Sequence, residues 1–215
     1  YRRDSSGRLL LNANGLPTPT TNVVKIGNPN PRYLLGINNE FNYKNWNLSV
    51  LLDIKVGGQQ YSRNLADIQR NGVGAETAEK DRFNADGTVA KNWLYEGVLP
   101  NGQLNGTDTS IFVSAEQYWG NAGKHIAAEG FIHGTSWFRV REASLSYKLP
   151  SSMFEGGGIS GITVGVYGRN LFLYAPGYPH LDPEQNALGI NNAQGLEFNS
   201  LPAMRTIGVN LNATF

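Results

Sequence analysis

The last ten residues, Thr206 to Phe215, alternate strictly between apolar side chains and small or polar ones. Ile207, Val209, Leu211, Ala213 and Phe215 fall on one side of an extended chain. Thr206, Gly208, Asn210, Asn212 and Thr214 fall on the other, because successive strand side chains point to opposite faces. The result is a ribbon with one oily and one wet face. It is about as long as the ~9–11 residues a tilted strand needs to cross a bilayer core, and it ends on an aromatic residue. Two folds make such a strand: a transmembrane β-barrel of an outer membrane and the rim of a soluble β-sandwich. The strand alone leaves both open.

Composition narrows the choice. No stretch approaches the ~20 apolar residues of a membrane-spanning helix, so a membrane can be crossed here only by strands. A net charge of +1, from 18 basic and 17 acidic residues mixed along the chain, leaves no electrostatic footprint for nucleic acid. Cysteine is absent, which removes disulfides and thiolate metal sites. The chain starts at Tyr1 without an initiator Met or a signal-peptide core, and it reads as part of a longer or processed protein. Abundant Gly and Asn, with aromatics at 11%, suit turns and long polar loops between aromatic-flanked strands. They also suit a soluble carbohydrate-binding sandwich.

The alternation recurs upstream. Tyr33, Leu35, Ile37, Phe41 and Tyr43 form an oily face broken only by Asn39, with Leu34, Gly36, Asn38, Glu40 and Asn42 opposite. Lys44-Asn45 is a hairpin-type connection. Trp46, Leu48, Val50, Leu52, Ile54 and Val56 then face one way, and Asn47, Ser49, Leu51, Asp53 and Lys55 the other. Residues 57–136 lose the pattern apart from helical possibilities at Tyr61–Arg70 and Ala75–Arg82; loops beyond ~12–15 residues are uncommon in compact soluble domains. From Trp137 to Leu149 the alternation returns but slips in phase near Arg141: either a β-bulge resets the register there or that end has already left the oily layer. After a short connection at Ser151–Ser160, Ile162, Val164 and Val166 oppose Thr163, Gly165, Tyr167 and Arg169, with an aromatic end at Phe172 and Tyr174. A polar loop from Ala175 to about Pro202 and the terminal strand follow. Connections thus alternate long and short, so the long loops share one end of the sheet and the tight turns the other. Transmembrane barrels of outer membranes show this asymmetry. Five strands cannot close such a barrel, which needs at least about eight.

Several ordered segments carry a resemblance: Gly27-Asn28-Pro29-Asn30-Pro31, then Phe41 to Ser49 leading into Gly57-Gly58, then Phe138 to Pro150. Tyr167-Gly168-Arg169-Asn170-Leu171-Phe172, Asp182-Pro183-Glu184 and the strand to Phe215 complete the series. In that order they resemble the C-terminal part of SusC/RagA-type TonB-dependent transporters of Bacteroidetes outer membranes. The resemblance covers nearly the whole chain. It implies an all-β fold, the last strands of an antiparallel barrel of about 22 strands with a plugged lumen, the plug and earlier strands lying outside residues 1–215. It also implies TonB-dependent import of oligosaccharides or peptides. The implied partners are a SusD-like surface lipoprotein, the TonB complex through the missing N-terminal region, outer-membrane lipid and the barrel assembly machinery. By the same resemblance Phe215 is the assembly signal, with the C-terminus in the periplasm.

Candidate sites follow from placement. Glu40, Asp53, Lys55, Lys148 and Arg169 fall on the wet face and would line a lumen, either along a solute path or in hydrogen bonds across a hydrated wall. Trp93, Tyr95, Tyr118 and Trp119 in the long loop would stack on a ligand, contact the lipoprotein lid, or form the small core that keeps the loop folded. His180 with Asp182 and Glu184 suggests a cation contact, although these carboxylates read as turn residues. Gly156-Gly157-Gly158 lacks the Lys-Ser/Thr and helix of a phosphate loop. No carboxylate pair at fixed spacing suggests glycoside hydrolysis. The expectation is a non-enzymatic protein without cofactor or metal, with a secreted polysaccharide-binding sandwich as the alternative.

Overall fold

The computed structural model describes residues 1–154, 158–189 and 194–215, so most of the triglycine at 156–158 lies outside the described residues. Five long strands follow the alternation: β1 Pro31–Tyr43, β2 Trp46–Gly57, β3 Trp137–Lys148, β4 Gly161–Tyr174 and β5 Thr206–Thr214. They form one antiparallel sheet in sequence order. The Lys44-Asn45 connection makes a tight hairpin, with Lys44 in the left-handed region at φ 52°. β5 pairs with β4, Thr206–Thr214 against Arg169–Gly161, as the terminal ribbon predicts. Its other edge, like the outer edge of β1, has no strand partner among the described residues.

Register turns the separate alternations into two continuous faces. Directly opposed residues share a face, and two apolar rows cross all five strands. One is Tyr43–Trp46–Tyr147–Val164–Leu211; the next is Phe41–Leu48–Leu145–Val166–Val209. Between them on the reverse side runs Asn42–Asn47–Ser146–Gly165–Asn210, then Glu40–Ser49–Ser144–Tyr167–Gly208. Gly208 is required there, because a Cβ would come within 2.6 Å of the Tyr167 ring that lies across it. The apolar face is uncovered: Leu211 is 69% and Val209 80% exposed. A sandwich would bury such a face under a second sheet, whereas here its residues stay exposed among the described residues. A continuous apolar sheet face of this kind is not left to water.

The phase slip is a bulge. Between Leu51 and Leu52 of β2, β3 supplies Glu142, Arg141 and Val140, so Arg141 is the extra residue. A second bulge at the same level lies in β4, where Asn170 adopts φ 52° and pairing resumes at Phe172 opposite Val140. A regular strand would send Arg139 and Glu142 to opposite faces. The bulge puts both on the polar face, opposite Asp53 and Leu51 respectively.

The chain divides into two compact units. Pro29–Gln59, Gly134–Asn186 and Ser200–Phe215 carry the sheet; Tyr1–Asn28, Gln60–His133 and Ala187–Asn199 form the other. Much of the segment that loses strand periodicity is therefore folded. Its core is Leu11, Leu16, Trp93, Tyr95, Leu99, Val113 and Trp119. Trp93 and Val113 sit on the very short strands Lys91–Trp93 and Val113–Ser114, and Trp119 ends the helix α2 at Ala115–Trp119, while Leu11, Leu16, Tyr95 and Leu99 lie outside strands and helices. Elements this short show no period. Helix α1, Arg63–Arg70, begins two residues later than Tyr61 because Ser62 is its N-cap, accepting from the Leu65 amide. The buried Glu197 accepts from Ser62 Oγ at 2.9 Å and the Asn64 amide at 3.0 Å, a carboxylate placed where the helix dipole favours it. The second helical expectation, Ala75–Arg82, shrinks to a 3₁₀ turn at Ala75–Ala78 without a side-chain cap.

Replacing Trp119 with Ala should cost this second unit about 3–5 kcal/mol, the usual range for a large buried aromatic. Hydrogen exchange should register the loss across residues 91–119 and leave β1–β5 protected. Unchanged protection in 91–119 would mean that the cluster is not the core.

Candidate functional site

The densest polar cluster lies in the sheet unit, on the wet face at the end of β3 where the bulge concentrates charge. Arg139 is only 2% exposed, and its Nη2 donates to Asp182 Oδ1 at 2.6 Å, Asp182 being itself 6% exposed. Its other terminal nitrogen donates to Asn170 Oδ1 at 3.3 Å, which links the cluster to the β4 bulge. Arg141 forms a two-nitrogen fork on Glu184, at 2.6 and 2.9 Å, and also donates to Asp53 on β2. Glu184 lies 3.4 Å from Arg139 as well, so one carboxylate bridges both guanidiniums. Trp137 packs beside both, its ring centroid 5.4 Å from the Arg139 guanidinium and 5.6 Å from that of Arg141. Asp182 also accepts from the Glu184 amide at 3.1 Å, which fixes the turn that carries both carboxylates. Pro183 between them is fully buried. Paired, hydrogen-bonded charges at this depth are costly to break and keep one geometry.

The five candidates on the wet face do not converge on one centre. Asp53 is held by Arg141, and Lys55 lies within electrostatic reach of Glu184. Arg169 pairs with its cross-strand neighbour Glu142 at 3.0 Å. Glu40 accepts from Asn47 at 2.7 Å, and the exposed Lys148 sits at the tight-turn end, its amide bonded to the Asn45 carbonyl. Asp53 and Lys55 therefore belong to the arginine cluster, while the other three line the rest of the wet face. Asp182 and Glu184, weighed for a cation with His180, are engaged by arginines instead. No group of three metal-ligating His, Cys, Asp or Glu side chains forms among the described residues. Sequence reasoning passed over Arg139 and Arg141; their position at the phase slip was the available signal, and the Asp-Pro-Glu landmark was its partner.

The loop aromatics do meet. In the second unit Tyr95 and Tyr118 stack at 4.3 Å, and Trp93 and Trp119 lie 5.2 Å apart edge to face. Trp93, Tyr95 and Trp119 are buried in the core, leaving Tyr118 partly open. The Tyr95 hydroxyl donates to the Tyr118 carbonyl at 2.7 Å, and burial pushes its pKa far above the ordinary phenol value. Burial also holds His125 below the usual histidine range, its ring nitrogen against the Ala66 carbonyl. Both groups are thus neutral fixtures of packing at physiological pH. Phe215, 87% exposed, follows the last ladder residue of β5.

No protein-family profile matches the chain. Among curated proteins it is 28% identical to TonB-dependent receptor P3 of Formosa agariphila over 99% of its own length. It is 26% identical to TonB-dependent receptor P26 of the same organism over 91%. The chain spans about a fifth of the length of these relatives, 19% and 18% respectively. Among solved structures it is similar in fold to the RagAB peptide importer in the open-open state, with TM-score 0.54 and 18% identity. That match covers 86% of this chain and 17% of that one. The closed-closed state gives TM-score 0.54 and 17% identity over 98% of this chain and 20% of the other.

Proposed function

We propose, from its homology to TonB-dependent receptors, that this chain is the C-terminal wall of an outer-membrane, TonB-dependent importer. One observation carries the reading: two apolar rows run in register across all five strands, while the reverse face gathers amides, hydroxyls and paired charges. A membrane barrel wall needs this division, with lipid outside and a hydrated lumen inside. The fold likeness to a peptide importer supports peptides as one cargo class, and the resemblance to SusC-type transporters supports oligosaccharides as the other. A SusD-like lipoprotein lids the pore, and energy arrives through TonB at segments outside residues 1–215. Residues 57–136 and 175–202 then lie outside the cell, and Lys44-Asn45 and the C-terminus in the periplasm.

Spin labels test the wall. In the full-length protein in outer-membrane vesicles, labels at Leu48 and Val50 should be relaxed by lipid-dissolved oxygen, and one at Ser49 by a water-soluble nickel chelate. Equal response at all three sites would overturn the assignment. Import itself is tested by deleting the full-length gene, which should abolish TonB-dependent growth on either a protein hydrolysate or a polysaccharide.

A further inference from the structure

We propose that Arg139 and Arg141 are positioning residues that clasp the Asp182-Pro183-Glu184 segment to the lumenal wall. This rests on the transport reading for its consequence but not for its geometry. The segment belongs to the connection between β4 and β5, which leaves the sheet at Tyr174. Polar connections of this length have no periodic packing of their own. Here the turn is held at both ends. Tyr178 is buried, with its amide bonded to the Ala175 carbonyl, and Asp182 and Pro183 are buried beyond it.

The clasp has a dry half and a wet half. Arg139 with Asp182 is sealed from water, so its Coulomb attraction is barely screened and its partners have no solvent to fall back on. Arg141 with Glu184 and Asp53 is roughly one-third exposed. Asp53 on β2 and Asn170 on β4 brace the two β3 arginines that grip the loop, so three neighbouring wall strands contribute to one clasp. Such an arrangement fixes where residues 175–186 stand at the loop end of the wall. That end is where a solute entering the pore would meet them, so releasing the clasp should disturb entry while leaving the barrel assembled.

A close backbone approach of the same segment, to the residues that lead into β3, provides an independent handle. A Cβ at Gly177 would lie 3.2 Å from the Gly134 carbonyl oxygen and 3.6 Å from Gly134 Cα. Residues 1–215 contain no cysteine, so in a receptor cleared of any thiols elsewhere a Gly134→Cys/Gly177→Cys pair serves as the staple. The full-length receptor should then be compared as wild type, as Arg139→Met/Arg141→Met, and as that variant with the staple.

Hydrogen exchange should show the amides of 175–186 losing protection on the order of tenfold or more in the arginine variant. Oxidising the staple should restore it, and a reductant should reverse the rescue. Uptake of a fluorescein-labelled casein digest, or of labelled starch oligosaccharides, should fall and recover in step. Unchanged exchange in 175–186 would overturn the clasp. Restored exchange without restored uptake would also overturn the proposal, because it would mean that the arginines act on the solute directly. If the wild-type receptor imports neither probe while exchange responds as described, the transport reading fails and the positioning of 175–186 stands.

Discussion

Leu211→Asp in the full-length protein is expected to abolish outer-membrane insertion, leaving the chain to be degraded in the periplasm. Leu211 lies in the middle of β5 on the apolar face, opposite Val164, and is 69% exposed. In the proposed barrel a carboxylate there sits in hydrocarbon, where a charge near the midplane of a barrel wall costs up to about 2–4 kcal/mol for Lys or Arg and somewhat less for Asp. For that barrel to close, β5 must also recruit its second neighbour. An unpaired edge inside the bilayer costs several kcal/mol for each orphan backbone group. The control is the next residue, Asn212→Asp. Its side chain faces Thr163 on the wet side, and insertion should be normal. Deleting Phe215 should resemble Leu211→Asp if the C-terminal aromatic is read as an assembly signal. Heat-modifiable mobility of outer-membrane fractions measures all three; normal insertion of Leu211→Asp would return β5 to the rim of a soluble sheet.

The second large effect concerns the dry half of the clasp. Arg139→Met leaves Asp182 buried with its charge unmatched and should destabilise the sheet unit by about 3–5 kcal/mol, the cost of breaking a buried pair from one side. Adding Asp182→Leu should recover most of that loss, because removing both charges removes the desolvation penalty together with the attraction. A double-mutant cycle in urea on the inserted protein would read the difference. Arg169→Met is the contrasting case: its pair with Glu142 is mostly exposed, and such pairs contribute about 0–1 kcal/mol. Comparable losses for Arg139→Met and Arg169→Met would show that the cluster is not dry.

How much of this was legible beforehand depended on length and period. The strands were readable because ten or more residues in strict alternation leave one register that keeps the faces apart. The slip at Arg141 was readable as either a bulge or the point where the strand leaves the oily layer, and only the structure chose the bulge. The second unit was invisible for the opposite reason: its core residues, from Leu11 to Trp119, lie far apart on very short elements or outside strands and helices altogether, and a period needs more turns than that. The four loop aromatics were recognised as a group, and only the fold chose core over open surface for three of them.

The sequence by itself determined the two-faced strands, their order of long and short connections and the terminal ribbon ending on Phe215, because strand geometry is local and fixes which side each residue takes. Tertiary structure decided what those faces meet. It brought Asp53, Arg139, Arg141, Asp182 and Glu184 together from three distant stretches of chain, a contact set by cross-strand register and a bulge. No local pattern encodes which distant carboxylate a guanidinium will find.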